Sequence, residues 1–121
     1  MSPGSAEFSF DQVNDSIGMI RVRGEITSMT EEKILQAYGM ATQSPISVIV
    51  WDFSELEYIN SSGIGLLLTL LVRARRQGIH TCAFGLHDHY RHIFALSRLD
   101  EVIGLFESEA EALQNLAYAH A

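Results

Sequence analysis

The chain has 121 residues, enough for one domain around one core and too few for two. It is 47% hydrophobic, as globular proteins are, and carries a net charge of −7 with a single lysine. That balance excludes a nucleic-acid footprint, which needs Lys and Arg clustered on one face, and one cysteine excludes an intrachain disulfide.

Residues 1–6 are small and turn-prone and are expected to form a flexible tail, with the domain spanning residues 7–121. Glu7 to Val13, with Phe8, Phe10 and Val13, reads as a first strand. Asn14-Asp15 is a turn signal, and Ile17 to Val22 is a second strand, so the two predict an antiparallel hairpin. Gly24-Glu25-Ile26 then leads into a loop. Thr27, Ser28 or Thr30 caps a helix over 30–42, with Glu31 and Glu32 favourably placed in its first turn. Its buried stripe is predicted as Ile34, Leu35, Tyr38 and Ala41.

Ile46 to Trp51 is rich in β-branched residues and reads as a central strand buried on both faces. A short polar loop, Glu55 to Ile59, separates it from a second helix that starts at Ser61 or Ser62 and runs to Gln77. Arg73, Arg75 and Arg76 complement the negative end of that helix, and Gly78 suits the position just past it. Its apolar run, Ile64 to Val72, is too short to span a bilayer. Ile79 to Phe84 is a further strand, in which Cys82 reads as a small buried hydrophobe. Asp88 caps a third helix over 89–97, with Ile93, Phe94 and Leu96 inward. Val102 to Phe106 is the last strand, and Ser108 opens a fourth helix that uses Leu113, Leu116 and Tyr118.

The order is ββαβαβαβα. It predicts a single α/β domain with about four helices and a mostly parallel sheet, joined by right-handed crossovers. The first strand is the antiparallel exception at one edge.

The segment Asn60-Ser61-Ser62-Gly63-Ile64-Gly65 carries the chemistry. A helix start has unpaired N–H groups and the positive end of the backbone dipole, so it tolerates a serine that gains and loses a phosphate. The plainer reading is that Asn60 or a serine caps the helix. Capping leaves unexplained two glycines in the first turns, each costing about 1 kcal/mol relative to alanine.

Other chemistry fits the sequence less well. Ser61 with a histidine and Asp52 would make a hydrolytic triad, but no Gly-x-Ser-x-Gly surrounds Ser61. His87, Asp88, His89 and His92 lie close together, yet they read as a polar surface helix start, and no metal or other cofactor is expected. There is no phosphate-binding glycine motif, so the chain is not expected to be an enzyme.

The chain resembles the STAS domain family, and more closely its small stand-alone bacterial members, the anti-sigma factor antagonists. The likeness rests on Ile20-Arg21-Val22-Arg23-Gly24-Glu25-Ile26, on Val48 to Phe53, and on Tyr58 to Gly65. It extends through Ile93 to Asp100, Val102 to Phe106 and Ser108 to Leu113. The resemblance implies a cytoplasmic switch in which Ser61 is phosphorylated by a partner that is both anti-sigma factor and serine-protein kinase. The unphosphorylated form would bind that partner and free the sigma factor, and a PP2C-type phosphatase would reset it.

The partner surface implied is the loop before the second helix, with Asn60, Ser61, Ser62 and Gly63, the adjoining Thr27–Thr30 loop, with Thr27, Ser28 and Thr30, and the exposed part of the second helix. Asn60 replaces the family's aspartate, Thr27 an acidic residue, and Arg98 a glycine. Two alternatives stay open: an unswitched subunit of a transporter or signalling complex, and a small-ligand sensor. A homodimer is compatible with either role. Arg73, Arg75 and Arg76 lie roughly 20 Å from Ser61 along the helix and cannot neutralise a phosphate there.

Overall fold

The computed structural model describes residues 6–119, with side-chain detail through Leu116. Residues 1–5 of the expected tail and the side chain of Tyr118 lie outside the described residues. The first strand begins at Ala6, which is buried, one residue inside the expected tail.

Five strands, β1 (Ala6–Gln12), β2 (Ile17–Ile26), β3 (Val48–Ile59), β4 (His80–Phe84) and β5 (Gly104–Phe106), form one sheet in the order β1-β2-β3-β4-β5. β1 pairs antiparallel with β2, and every other pair is parallel. Asn14 makes the hairpin by accepting the N–H groups of Ser16 and Ile17 on Oδ1, at 2.8 and 2.9 Å.

Four helices connect or close the sheet: α1 (Glu31–Thr42), α2 (Ser61–Arg76), α3 (Asp88–Leu96) and α4 (Glu109–Ala119). Each parallel strand lies beside its predecessor, so one hand of crossover puts α1, α2 and α3 on one face. There Ile34, Tyr38, Leu67, Leu71 and Phe94 pack on Ile20, Ile49, Trp51 and Phe53. α4 covers part of the other face, where Ala112 and Leu116 meet Met19, Val48, Val50 and Cys82. β3 is therefore apolar on both faces from Val48 to Trp51, as predicted for a central strand, and stays buried through Asp52 and Phe53.

Several expectations are corrected. β2 continues through Gly24-Glu25-Ile26, and the supposed polar loop Glu55–Ile59 is the second half of β3. Two register shifts, opposite Arg21/Arg23 and Gly24/Glu25, hide the strand's alternation from a reader of the sequence. In α1 the buried stripe contains Ala37, and Leu35 faces solvent. In α3 only Phe94 is buried, and Leu96 is 73% exposed. Asp88 is the first helical residue and does not cap; His87 precedes it without a side-chain cap bond. Residues Leu99–Glu101 form a 3₁₀ turn before a β5 that starts at Gly104.

α2 ends as predicted. Gly78, at φ +76°, donates its N–H to the Arg75 carbonyl at 3.0 Å, and Ile79 donates to Ala74 at 2.8 Å. These two bonds are the Schellman arrangement, which closes the helix and turns the chain into β4.

Candidate functional site

The C-terminal ends of β2 and β3 lie side by side, with Glu25 opposite Tyr58 and Ile26 opposite Ile59. Each strand then hands the chain to a helix start. After Ile26, Thr27 accepts the Met29 N–H at 3.1 Å, and Thr30 Oγ1 accepts the Thr27 N–H at 3.0 Å. This reciprocal pair is a capping box around a 3₁₀ turn, Ser28–Thr30, that leads into α1. Thr30 Oγ1 also donates to the Glu25 carbonyl at 2.9 Å, tying the turn to the end of β2.

After Ile59, Asn60 caps α2. Its Oδ1 accepts the Gly63 N–H at 2.9 Å, and its carbonyl accepts the Ile64 N–H at 2.9 Å. The N–H groups of Ser61 and Ser62 come before the first intrahelical bond and have no acceptor within the helix. Both serine side chains are exposed. No hydrogen bond engages the Ser61 hydroxyl among the described residues.

Gly63 is buried where the two helix starts meet. A Cβ on it would overlap the Ile26 carbonyl oxygen and stand 2.7 Å from the carbonyl carbon. The helix can therefore seat against the end of β2 only with glycine there. Gly65 differs: nothing lies within 4 Å of a Cβ built on it, and it is exposed. Of the two glycines that capping leaves unexplained, packing within the protein accounts for Gly63 alone.

The expected surface residues divide in two. Ser28, Ser61 and Ser62 face outward, and Asn60 is half-buried as the cap. Thr27, Thr30 and Gly63 are buried, so they shape the surface without presenting a side chain. Met29, within the expected Thr27–Thr30 loop, and Tyr58, which the sequence does not single out as a surface residue, are 71% and 47% exposed beside this site. Tyr58 follows from alternation once β3 is carried to Ile59. Met29 stands out as the one large apolar residue inside the capping box.

Asp52 is not available to Ser61. Its Oδ2 takes Arg21 Nη1 at 2.7 Å, and its Oδ1 takes both the N–H and the hydroxyl of Ser54 at 2.9 and 2.6 Å. The weighed triad therefore does not assemble. Among the described residues no group of three His, Cys, Asp or Glu side chains is placed to hold a metal ion. No described helix is long and apolar enough to cross a membrane.

The STAS domain model matches residues 11–112. The anti-sigma-B factor antagonist of Listeria monocytogenes is 28% identical over 98 residues, which is 81% of this chain and 86% of that relative. Two solved structures share the fold. An anti-sigma factor antagonist from Mycobacterium paratuberculosis aligns with a TM-score of 0.77 at 23% identity, over 94% of this chain and 96% of that one. The Bacillus cell fate determinant SpoIIAA, in its phosphorylated form, aligns with a TM-score of 0.69 at 25% identity, over 90% and 98%.

Proposed function

Since the chain belongs to the STAS domain family, we propose that it works as an anti-sigma factor antagonist, a non-enzymatic binding module switched at Ser61. The observation that carries this reading is the exposed, unengaged Ser61 hydroxyl at the capped N-terminus of α2. Relatives named as anti-sigma factor antagonists supply the class of partner. The unphosphorylated protein binds an anti-sigma factor that is also a serine kinase, and a PP2C-type phosphatase restores the binding form. The exchange takes place in the bacterial cytoplasm.

The switch needs no refolding. A phosphate on Ser61 carries nearly two negative charges and lies at the positive end of α2, where the fold tolerates it. Pressed into an interface it loses its water, and an unpaired buried charge costs several kcal/mol. Each 1.4 kcal/mol is about tenfold in affinity. Asn60 preserves the cap bond and puts an uncharged amide, in place of an aspartate, next to the acceptor residue in sequence.

The test is incubation with ATP and the anti-sigma factor kinase of the same genome, followed by phosphosite mapping. Modification at Ser61, absent from Ser61→Ala, is the expected result. Modification elsewhere, or none, overturns the reading.

A further inference from the structure

The outer face of α2 runs unbroken from Ser61 through Gly65, Leu68 and Val72 to Arg76, spaced by four, three, four and four residues. Leu68 is 37% exposed, and Gly65 and Arg76 are exposed. At its far end Leu68, Thr69, Val72, Arg73 and Arg76 line a shallow groove of about 390 Å³.

Charge singles out this end. The chain has eight Lys and Arg residues against fifteen Asp and Glu. Arg21, Arg23, Arg91 and Arg98 are held in ion pairs, and Lys33 donates to the Ala6 carbonyl at 3.0 Å. The remaining three, Arg73, Arg75 and Arg76, form no ion pair among the described residues, and all are exposed. An acidic protein has thus gathered the cations that no described carboxylate pairs at one helix end, where they complement the helix dipole and Arg73 faces Tyr38 electrostatically, continuous with the Ser61 surface. Gly65, in the same stripe, weakens the helix although nothing inside the protein needs its small size. An open glycine lets another backbone come close.

We infer that this face is a second docking element for the protein partner bound at Ser61, receiving an amphipathic segment that is apolar opposite Gly65–Leu68–Val72 and acidic opposite Arg73 and Arg76. The inference rests on the proposed function and deepens it. Arg73 lies about 18 Å along the helix from Ser61, so this contact does not read the phosphate directly. It steers and orients the partner, and Ser61 decides whether the partner stays.

The experiment compares wild type, Arg73→Glu/Arg76→Glu and the milder Arg73→Gln/Arg76→Gln for association with the anti-sigma factor at several salt concentrations. The glutamine pair guards against loss of folding from reversed charges at a helix end. A nitroxide on Thr69→Cys reports burial of the groove, since native Cys82 is buried and does not compete for the label. Expected are association slowed about tenfold by the charge reversal at low salt, a gap that closes as salt rises, and shielding of the nitroxide by the partner. Unchanged association with a nitroxide left accessible, while Ser61→Asp still blocks binding, overturns this inference and spares the Ser61 reading. No binding by wild type removes both. Self-association that the charge reversal abolishes gives the face to a second copy and overturns the inference as well.

Discussion

Gly63 lies directly against the carbonyl of Ile26, and this one contact joins the two halves of the site. It brings the start of α2, with Ser61 and Ser62, up to the turn that follows β2. Alanine at 63 must push the helix away from backbone atoms that cannot yield. Gly63→Ala should therefore lower stability by about 2 kcal/mol or more, in the range of overpacked cores. Denaturant unfolding followed at Trp51, the only tryptophan and fully buried, measures it.

Gly65→Ala should move the other way. The site is open and helical, so alanine should stabilise by about 0.5–1 kcal/mol. Gly39→Ala is the companion, because nothing lies within 4 Å of a Cβ there either and it belongs to α1. The two should stabilise alike, while only Gly65→Ala weakens partner binding. Equal binding by both would remove Gly65 from the docking face.

Asn60→Ala removes the acceptor for the Gly63 N–H and should cost about 1 kcal/mol. Asn60→Asp keeps that bond and adds a negative charge at the helix N-terminus, worth about 0.3–1 kcal/mol of stability. A paired thermal melt of the two variants separates the cap from the charge.

Burial pushes the Cys82 thiol up from 9.0 to about 11. The unfolded chain releases this proton near the ordinary value, while the native state keeps it until higher pH. Its contribution to stability is complete below pH 9 and is lost as pH rises towards about 11. Wild type should lose on the order of 2 kcal/mol more than Cys82→Ala across that window. Parallel denaturant midpoints at several pH values would show it; identical slopes would contradict it.

The parts legible in the sequence were those written in local chemistry. Asn60 and Gly78 bracket α2 because a cap and a left-handed glycine act within a few residues. The order of strands and helices, and the antiparallel edge, followed from alternation of periods. What stayed hidden depends on distant partners. The second half of β3 reads as a loop because two bulges break its period, and only pairing with β2 reveals it. Leu35 and Leu96 read as inward from hydrophobicity, yet tertiary packing leaves both exposed. At the site itself, the exposure of Ser61 was legible from the capping pattern. The inward turn of Thr27 and Thr30 was not, because it depends on a bond to the Glu25 carbonyl.

The most direct measurement is the affinity of the anti-sigma factor for wild type, Ser61→Ala, Ser61→Asp and the Ser61-phosphorylated protein, by titration calorimetry. Wild type and Ser61→Ala should bind alike, and the two negatively charged forms should bind at least about a hundredfold more weakly, as a desolvated charge of a few kcal/mol requires. Equal affinity across all four would contradict the switch.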